Sequence, residues 1–294
     1  MQLSKRLAAV ADMVTPGLVL ADIGTDHAYI PIYLVEQQRI PRAIAADVNC
    51  GPLARASAHI REHALENEIE TRLSDGLAEF SPGEAQSIVI AGMGGALTIR
   101  ILENGWKKDA AFMQECRKPD EQECRMQDGQ ERCEADVPEY QKPDGLAWGT
   151  QMELILQPQS EIALVRSWLE QNGWEIVRED MVFEDGKYYP MMKAKRRLAC
   201  SMFQQPEEGF EFFTEEKTNS SSASSVMSGI ELQFGPRLLE MRHPVLRQFL
   251  LHERATQESV LRSLEQGKSE AARERESEVR ANIGRINEAL RLYE

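Results

Sequence analysis

Residues 18–29 read LVLADIGTDHAY, and this stretch decides which fold the chain is expected to adopt. Its apolar first half, 18–23, is typical of a short buried strand. The loop that follows contains Gly24, and apolar residues at helical spacing resume over 30–38. A strand, a glycine-containing loop and a helix in this order predict the first unit of a parallel α/β sheet.

The same alternation continues along most of the chain. Strands are predicted at 43–48, 69–73, 86–91 and 152–157, with helices at 3–14, 52–67, 96–104 and 160–172, the last capped by Ser160. Between 174 and 194, two strand-like runs flank an Asp-Gly pair, which favours a tight hairpin turn. A parallel sheet that ends in an antiparallel hairpin is the layout of a class I, Rossmann-like methyltransferase.

Charge is distributed unevenly along the 294 residues, whose formal net charge is -14. Residues 109–150 carry 5 basic and 11 acidic residues, 201–230 carry 1 and 5, and neither segment has apolar periodicity. We therefore expect a Rossmann-like domain over 1–200, interrupted at 109–150 by an acidic, mobile insertion and followed at 201–230 by a flexible, acidic and Ser-rich linker. The remainder is nearly neutral, so the net charge does not exclude an RNA partner.

Residues 231–294 are expected to form a separate helical domain. From Pro244 onward, apolar residues recur at helical spacing on both sides of Gly267. Their narrow stripes predict an antiparallel helical hairpin with coiled-coil-like packing. These helices also offer a surface for a homodimer.

Composition excludes several classes of protein. No run approaches the roughly 18 apolar residues that a membrane helix needs. The first residues do not resemble a signal peptide, so a cytoplasmic protein is expected. The 5 cysteines form no CxxC pair and the histidines lack metal-ligand spacing, so neither a disulfide framework nor a metal site is expected.

Acidic side chains mark the loop after the first strand. Asp22 and Asp26 lie on either side of Gly24, and two carboxylates suit a cationic ligand and repel a pyrophosphate. The loop also lacks the three glycines of the GxGxxG pattern, which argues against a dinucleotide. S-adenosylmethionine, which carries an ammonium and a sulfonium, fits this loop better.

The next two loops offer contacts for a nucleoside. Asp47 follows the second strand, where an acidic residue accepts hydrogen bonds from ribose hydroxyls, although Asp47 and Asn49 are equally suited to capping the next helix. Asp75 and Gly76 follow the third strand, where they either meet an adenine amino group or simply form a turn.

Glycines and amides follow the fourth and fifth strands. The run 92–95, Gly-Met-Gly-Gly, either leaves room for a flat base or packs the start of the following helix tightly. Gln157 and Gln159 bring two amides to the same edge of the sheet, where they suit the Watson–Crick edge of a base, unless Pro158 only fixes a turn.

As an ordered set, these loops resemble one family, the bacterial TrmK-type tRNA (adenine-N1)-methyltransferases. The resemblance is carried by LADIGTDHAYIPIYL (20–34), AIAADVNCGPL (43–53), RLSDGL (72–77), IVIAGMGG (88–95) and LILQPQSE (154–161). It covers 3–108 and 151–195 and extends more loosely through 234–253. The stretch at 109–150 departs from the family pattern, and acidic residues near an RNA-binding face are expected to weaken binding.

The resemblance implies that the protein uses S-adenosylmethionine to methylate N1 of adenosine 22 in tRNA. N1 carries an in-plane lone pair and attacks the sulfonium methyl directly, so positioning should dominate the rate enhancement.

The resemblance also implies roles for individual residues. Contacts to the cofactor are expected from Asp22, Gly24, Thr25, His27, Asp47, Asn49, Asp75, Gly76, Gly92 and Met93. Catalytic roles are expected for Asp26, Tyr29 and Gly94, with Asp26 orienting the base through its N6 amino group. Contacts to the target base are expected from Gly95, Gln157 and Gln159.

Two other functions stay open at this point. A methyltransferase for a small molecule or a protein would use the C-terminal helices for dimerisation, and activity without RNA would identify it. A catalytically inert coiled-coil interaction protein would fail to bind S-adenosylmethionine.

Overall fold

Strands and helices alternate along the chain as predicted, in a computed structural model that describes residues 1–81, 83–116, 152–196, 226–264 and 270–294. The strands are β1 (Leu20–Ile23), β2 (Ala43–Asp47), β3 (Ile69–Leu73), β4 (Ser87–Ala91), β5 (Glu153–Gln157), β6 (Trp174–Glu184) and β7 (Lys187–Arg196). The helices are α1 (Lys5–Met13), α2 (Tyr29–Glu36), α3 (Cys50–Glu62), α4 (Gly95–Cys116), α5 (Ile162–Gln171), α6 (Gly229–Phe234), α7 (Pro236–Glu240), α8 (Pro244–Leu264) and α9 (Glu270–Arg291).

The strands form a seven-stranded sheet in the order β3-β2-β1-β4-β5-β7-β6. β1 pairs in parallel with both β2 and β4, β2 pairs in parallel with β3, and β6 and β7 pair antiparallel. The strand order reverses between β1 and β4, and open α/β sheets bind ligands beyond the carboxyl ends of the strands at such a point. The predicted Rossmann-like methyltransferase fold is confirmed.

The chain divides into two compact units, residues 1–91 with 97–153 and residues 92–96 with 154–294. Residues 117–150 of the predicted insertion and residues 201–225 of the predicted linker lie outside the described residues. The predicted domain boundaries stay a prediction.

Two helices extend into segments that were predicted to be irregular. α4 continues to Cys116, so 109–116 of the predicted insertion are helical. α6 begins at Gly229, near the end of the predicted linker, because Ser228 and Glu231 form a reciprocal capping box. Local apolar periodicity is weak in both places, which is why the sequence did not indicate these helices.

In the first unit, a buried carboxylate ties the end of α1 to the sheet. Glu153 is fully buried and accepts hydrogen bonds from the Thr15 N–H at 2.8 Å, the Thr15 hydroxyl at 2.6 Å and the Ser87 hydroxyl at 3.1 Å. These donors offset the cost of removing the carboxylate from water.

In the second unit, the predicted hairpin between β6 and β7 is confirmed. Asp185 and Gly186 both have positive φ, 48° and 75°. Positive φ at both central residues is the signature of a type I′ turn, whose twist matches that of the paired strands.

A buried ion pair joins α5, β6 and the following helices in this unit. Arg166 Nε donates to Glu179 Oε1 at 2.9 Å, and the two side chains are 1% and 0% exposed. The same guanidinium donates to the carbonyls of Leu232 and Gln233, while Glu179 Oε2 accepts the Arg237 N–H at 2.9 Å. Both charges are therefore compensated, and the backbone of α6 and α7 is fixed by the same network.

Gly235 allows the chain to pass over this ion pair. Its φ is 99°, and a Cβ atom there would lie 2.5 Å from Glu179 Oε2 and 2.8 Å from Arg166 Nη2. No side chain fits at this position without displacing one member of the pair.

The C-terminal helices share one apolar cluster in this unit. Its buried members are Met181, Phe234, Leu238, Leu239, Leu246, Leu250, Ile286 and Ala289. Since residues near the start of α8 pack with residues near the end of α9, the two helices run antiparallel, which confirms the predicted helical hairpin. The expected turn at Gly267 lies outside the described residues, and the coiled-coil character stays a prediction.

We expect Arg166→Met to destabilise the protein strongly, because it leaves the Glu179 carboxylate buried and without its charged partner. The free energy of unfolding, measured by urea titration, should fall by about 3–5 kcal/mol. The matched control is Arg275→Met, which removes an exposed pair with Glu278 and should cost less than about 1 kcal/mol. Equal losses in the two variants would contradict the importance assigned to the buried pair.

Candidate functional site

The carboxyl end of β1 carries a carboxyl group in an unfavourable environment. Asp22 is only 7% exposed. Burial raises its pKa to about 6, the nearby Thr25 hydroxyl opposes this shift, and the negative charge of Asp47 adds to it. A cation placed beside Asp22 would favour its ionised form.

The loop after β1 leaves two buried polar atoms without a hydrogen bond of ordinary length. Among the described residues, neither Thr25 Oγ1 nor His27 Nδ1 has such a partner. The backbone of this loop is fixed, since the N–H groups of Gly24 and Thr25 both donate to the Ala46 carbonyl, at 2.8 and 2.9 Å. Buried polar groups in a native fold are normally paired, so these two atoms indicate a place for a polar ligand.

The loops after β2 and β3 bring two more carboxylates to the same end of adjacent strands. Asp47 is half-buried and its Oδ1 accepts the Asn49 N–H at 2.7 Å. Asn49 occupies the N-cap position of α3 but makes no side-chain cap bond, so neither side chain caps this helix. Asp75 is exposed and Gly76 is buried, with the Ser74 hydroxyl donating to the Gly76 carbonyl at 2.8 Å.

Aromatic and charged side chains surround the first loop. The rings of His27 and Tyr29 stack, with centroids 5.1 Å apart, and the His59 ring lies 4.8 Å from that of His27. Arg55 binds the exposed Asp26 carboxylate through Nε and Nη2, at 3.1 and 2.9 Å. Sequence reasoning missed Arg55 and His59 as neighbours of this loop, and their spacing of four on α3 was the available signal.

In the second unit, the loop after β4 is joined to the loop after β5. The Gly92 N–H donates to the Gln157 carbonyl at 3.0 Å, the Gln159 N–H to the Met93 carbonyl at 2.8 Å, and the Gly95 N–H to the Ser160 carbonyl at 3.1 Å. We refer to residues 92–96 and 157–161 as the paired loops.

The close packing of the paired loops explains why residue 95 is a glycine. A Cβ atom at Gly95 would lie 2.7 Å from the Ser160 carbonyl oxygen, so the tight packing considered in the sequence analysis is present here. The same packing is less severe at Gly94, where a Cβ atom would lie 3.1 Å from Ser160 Oγ.

The two glutamines differ in accessibility. Gln157 is fully buried and its side-chain amide donates to the Pro158 carbonyl, whereas Gln159 is exposed. The prediction that Ser160 caps α5 is wrong, because Glu161 occupies that position.

In the described part of the chain, no group of three or more His, Cys, Asp and Glu side chains is arranged to hold a metal ion. No helix among those residues has the length and apolarity required to span a membrane.

Family comparisons divide the chain into two matched regions. A model described as a methyltransferase domain matches residues 3–127, and a model described as tRNA (adenine(22)-N(1))-methyltransferase matches residues 146–288. The tRNA (adenine(22)-N(1))-methyltransferase of Bacillus subtilis is 35% identical over 195 residues, which make up 66% of this chain and 66% of that protein.

Solved structures match over a larger share of the chain. A Streptococcus pneumoniae protein, described as a candidate tRNA (m1A22) methyltransferase, is 29% identical, with a TM-score of 0.70 over 98% of this chain and 100% of that one. The same protein in complex with S-adenosyl-L-methionine gives a TM-score of 0.68 over the same shares of the two chains. The Bacillus subtilis m1A22 tRNA methyltransferase is 26% identical in its solved structure, with a TM-score of 0.69 over 98% of both chains.

We expect Asp22→Asn to change stability in a pH-dependent way. The pKa of Asp22 is about 6 in the folded state and 3.8 in the unfolded state, so between these pH values the unfolded state ionises more readily and the folded state loses stability. Above about pH 6 the loss is complete and changes no further. The variant lacks this loss, so relative to wild type it should gain about 1–3 kcal/mol in unfolding free energy between pH 4 and pH 7. Urea titrations of the protein without ligand at both pH values measure this gain, and an equal difference at the two values would contradict it.

Proposed function

This chain belongs to the tRNA (adenine(22)-N(1))-methyltransferase family, and on that basis we propose that it transfers the methyl group of S-adenosylmethionine to N1 of adenosine 22 in tRNA. One observation carries the proposal from family to chemistry. Asp22 and Asp47 lie at the carboxyl ends of β1 and β2, and Asp75 follows β3, at the end of the sheet where such folds bind their ligands.

The loop after β1 has the chemistry needed for the methionine end of the cofactor. Asp22 is a buried carboxyl whose raised pKa falls when an ammonium approaches. The buried His27 Nδ1, which has no hydrogen-bond partner among the described residues, supplies additional hydrogen-bonding capacity in the same loop. S-adenosylmethionine, when bound, supplies an electrophilic methyl group on a sulfonium. The remaining members of the cofactor site that we propose are Gly24, Asp47, Asn49, Asp75, Gly76, Gly92 and Met93.

Asp47 is the residue that we assign to the ribose. Its Oδ1 accepts the Asn49 N–H, which orients the carboxylate at the end of β2. An ionised carboxylate is a strong acceptor for a pair of vicinal hydroxyls. Asp75, exposed after β3, is assigned to the adenine amino group of the cofactor.

Positioning of the target adenine is assigned to the first loop and to the paired loops. N1 of adenine needs no general base to become a nucleophile, so orientation of the ring is the main task of the protein. Asp26, whose carboxylate Arg55 holds in place, accepts from the N6 amino group, and Tyr29 offers a ring for stacking. Gly94, Gly95, Gln157 and Gln159 are the other residues that we assign to the target base, although the Gln157 side chain is buried and donates to the Pro158 carbonyl.

The adenine becomes positively charged when N1 gains a methyl group. An exposed carboxylate at Asp26 stabilises this developing charge as well as orienting the base. Since N1 is shielded inside a folded RNA, the nucleotide must leave its stack before it can react.

The helical hairpin is the proposed contact surface for the rest of the tRNA. A second proposed role of the helical hairpin is to form the homodimer expected from the sequence. Leu251 and Val260, which are exposed on α8, offer apolar contacts for it. A cytoplasmic location agrees with tRNA as the substrate.

The function is tested by methyl transfer from labelled S-adenosylmethionine to unmodified tRNA transcripts. We expect label in the wild-type transcript and its loss when adenosine 22 is replaced by guanosine, because guanine N1 carries a proton instead of a free lone pair. Label in both transcripts would contradict the assigned position. Label in neither transcript, with the cofactor still bound, would contradict tRNA as the substrate.

The ribose assignment is tested by Asp47→Ala. We expect the dissociation constant for S-adenosylmethionine, measured by calorimetry, to rise about 10-fold to 100-fold, since hydrogen bonds to a charged group are lost. The control is Asp12→Asn. It removes an exposed carboxylate on α1 that pairs with Arg39, and it should leave binding unchanged. Equal binding by wild type and Asp47→Ala would show that another residue contacts the ribose.

A further inference from the structure

Glu161 joins the start of α5 to the loop after β4 in the second unit. Its backbone carbonyl accepts the N–H groups of Leu164 and Val165, at 3.0 and 3.2 Å, and so begins α5. Its carboxylate accepts the Ala96 N–H at 2.9 Å, in the first turn of α4. The Glu161 side chain therefore forms a hydrogen bond between the paired loops, in addition to their backbone hydrogen bonds.

The backbone of Glu161 has a conformation that is unfavourable for its residue type. Its φ and ψ are 53° and 37°, in the left-handed region, although Glu has a Cβ atom. This region costs a non-glycine residue roughly 1 kcal/mol or more. As N-cap residue of α5, Glu161 makes no side-chain bond to its own helix. Its carboxylate is thus bonded to α4 instead of to its own helix.

The position of this carboxylate also has an electrostatic consequence. The first N–H groups of an α-helix lack partners within the helix and carry a partial positive charge, which attracts anions. Because Glu161 already bonds to the Ala96 N–H, a phosphate at this helix start would meet a negative charge. The loop at 92–95 is consequently suited to an uncharged base edge and poorly suited to the RNA backbone.

We propose that Glu161 is a positioning residue for methyl transfer, which fixes the loop at 92–95 in the conformation that receives the target adenine. This inference rests on the proposed function, in which Gly94 and Gly95 face that base. Three backbone hydrogen bonds join the paired loops before Ala96. The Glu161 carboxylate adds a fourth contact, to the N–H of Ala96 in the first turn of α4. Loss of this contact allows the loop to change its conformation, and small displacements reduce the rate of a reaction that depends on orientation.

Three variants separate the carboxylate from the strained backbone. Glu161→Ala removes the acceptor and keeps a Cβ atom in the left-handed region. Glu161→Gln keeps an oxygen that accepts the Ala96 N–H. Glu161→Gly removes the acceptor and relieves the backbone strain, so it should be at least as stable as Glu161→Ala. Glu66→Ala, a change at an exposed glutamate in the turn before β3, is the matched control.

The test is single-turnover methylation of the tRNA transcript, together with the dissociation constant for S-adenosylmethionine and the urea midpoint of each variant. We expect Glu161→Ala and Glu161→Gly to lower the methylation rate about 10-fold to 100-fold with cofactor binding changed less than about twofold. Glu161→Gln should recover most of the rate, and Glu66→Ala should match wild type.

Several results would overturn the proposal. A normal rate in Glu161→Gly would show that the carboxylate is dispensable, even if Glu161→Ala does not fold. Rates that follow the urea midpoints across all variants would show a purely structural role. Inactive wild-type protein that still binds the cofactor would instead contradict the proposed function.

Discussion

The buried pair between Arg166 and Glu179 is the interaction on which the second unit depends. Its two charges lie in the interior, where each is tolerated only because the other and several backbone groups compensate it. Apolar contacts alone would allow α6 and α7 to slide along the sheet edge, since such contacts are not directional. The guanidinium and the carboxylate require specific backbone partners, and these partners exist in one register. Gly235 is a consequence of this requirement, because the chain passes too close to the pair for any side chain.

The first unit shows the opposite use of buried charge. Asp22 lies near the negative charge of Asp47, and burial raises its pKa to about 6. Its environment therefore penalises the ionised form, whereas the buried Glu179 carboxylate is paired with the Arg166 guanidinium. In the proposed function, the ammonium of S-adenosylmethionine supplies the missing positive charge, and its binding recovers the stability lost there.

Sequence reasoning succeeded where a feature is local. The strands at 20–23 and 87–91 were visible as apolar runs, and Asp185-Gly186 specified its own turn. It failed where a contact joins distant segments. Ser160 is the better N-cap by residue type, but its carbonyl and the Glu161 carboxylate bond to residues 95 and 96, which no local pattern indicates. The sequence analysis did not single out Arg166 or Glu179, because their pairing appears only when α5 packs beside β6.

The packing of Gly95 against the turn at 160 and 161 also constrains how related sequences can differ. The space that a methyl group at position 95 would need is filled by backbone atoms, which cannot be exchanged for smaller ones. A related chain with alanine at the equivalent position must therefore form a wider turn after β5. Substitutions at the two places are expected to occur together, so that correlated variation between them would report this contact without any structure.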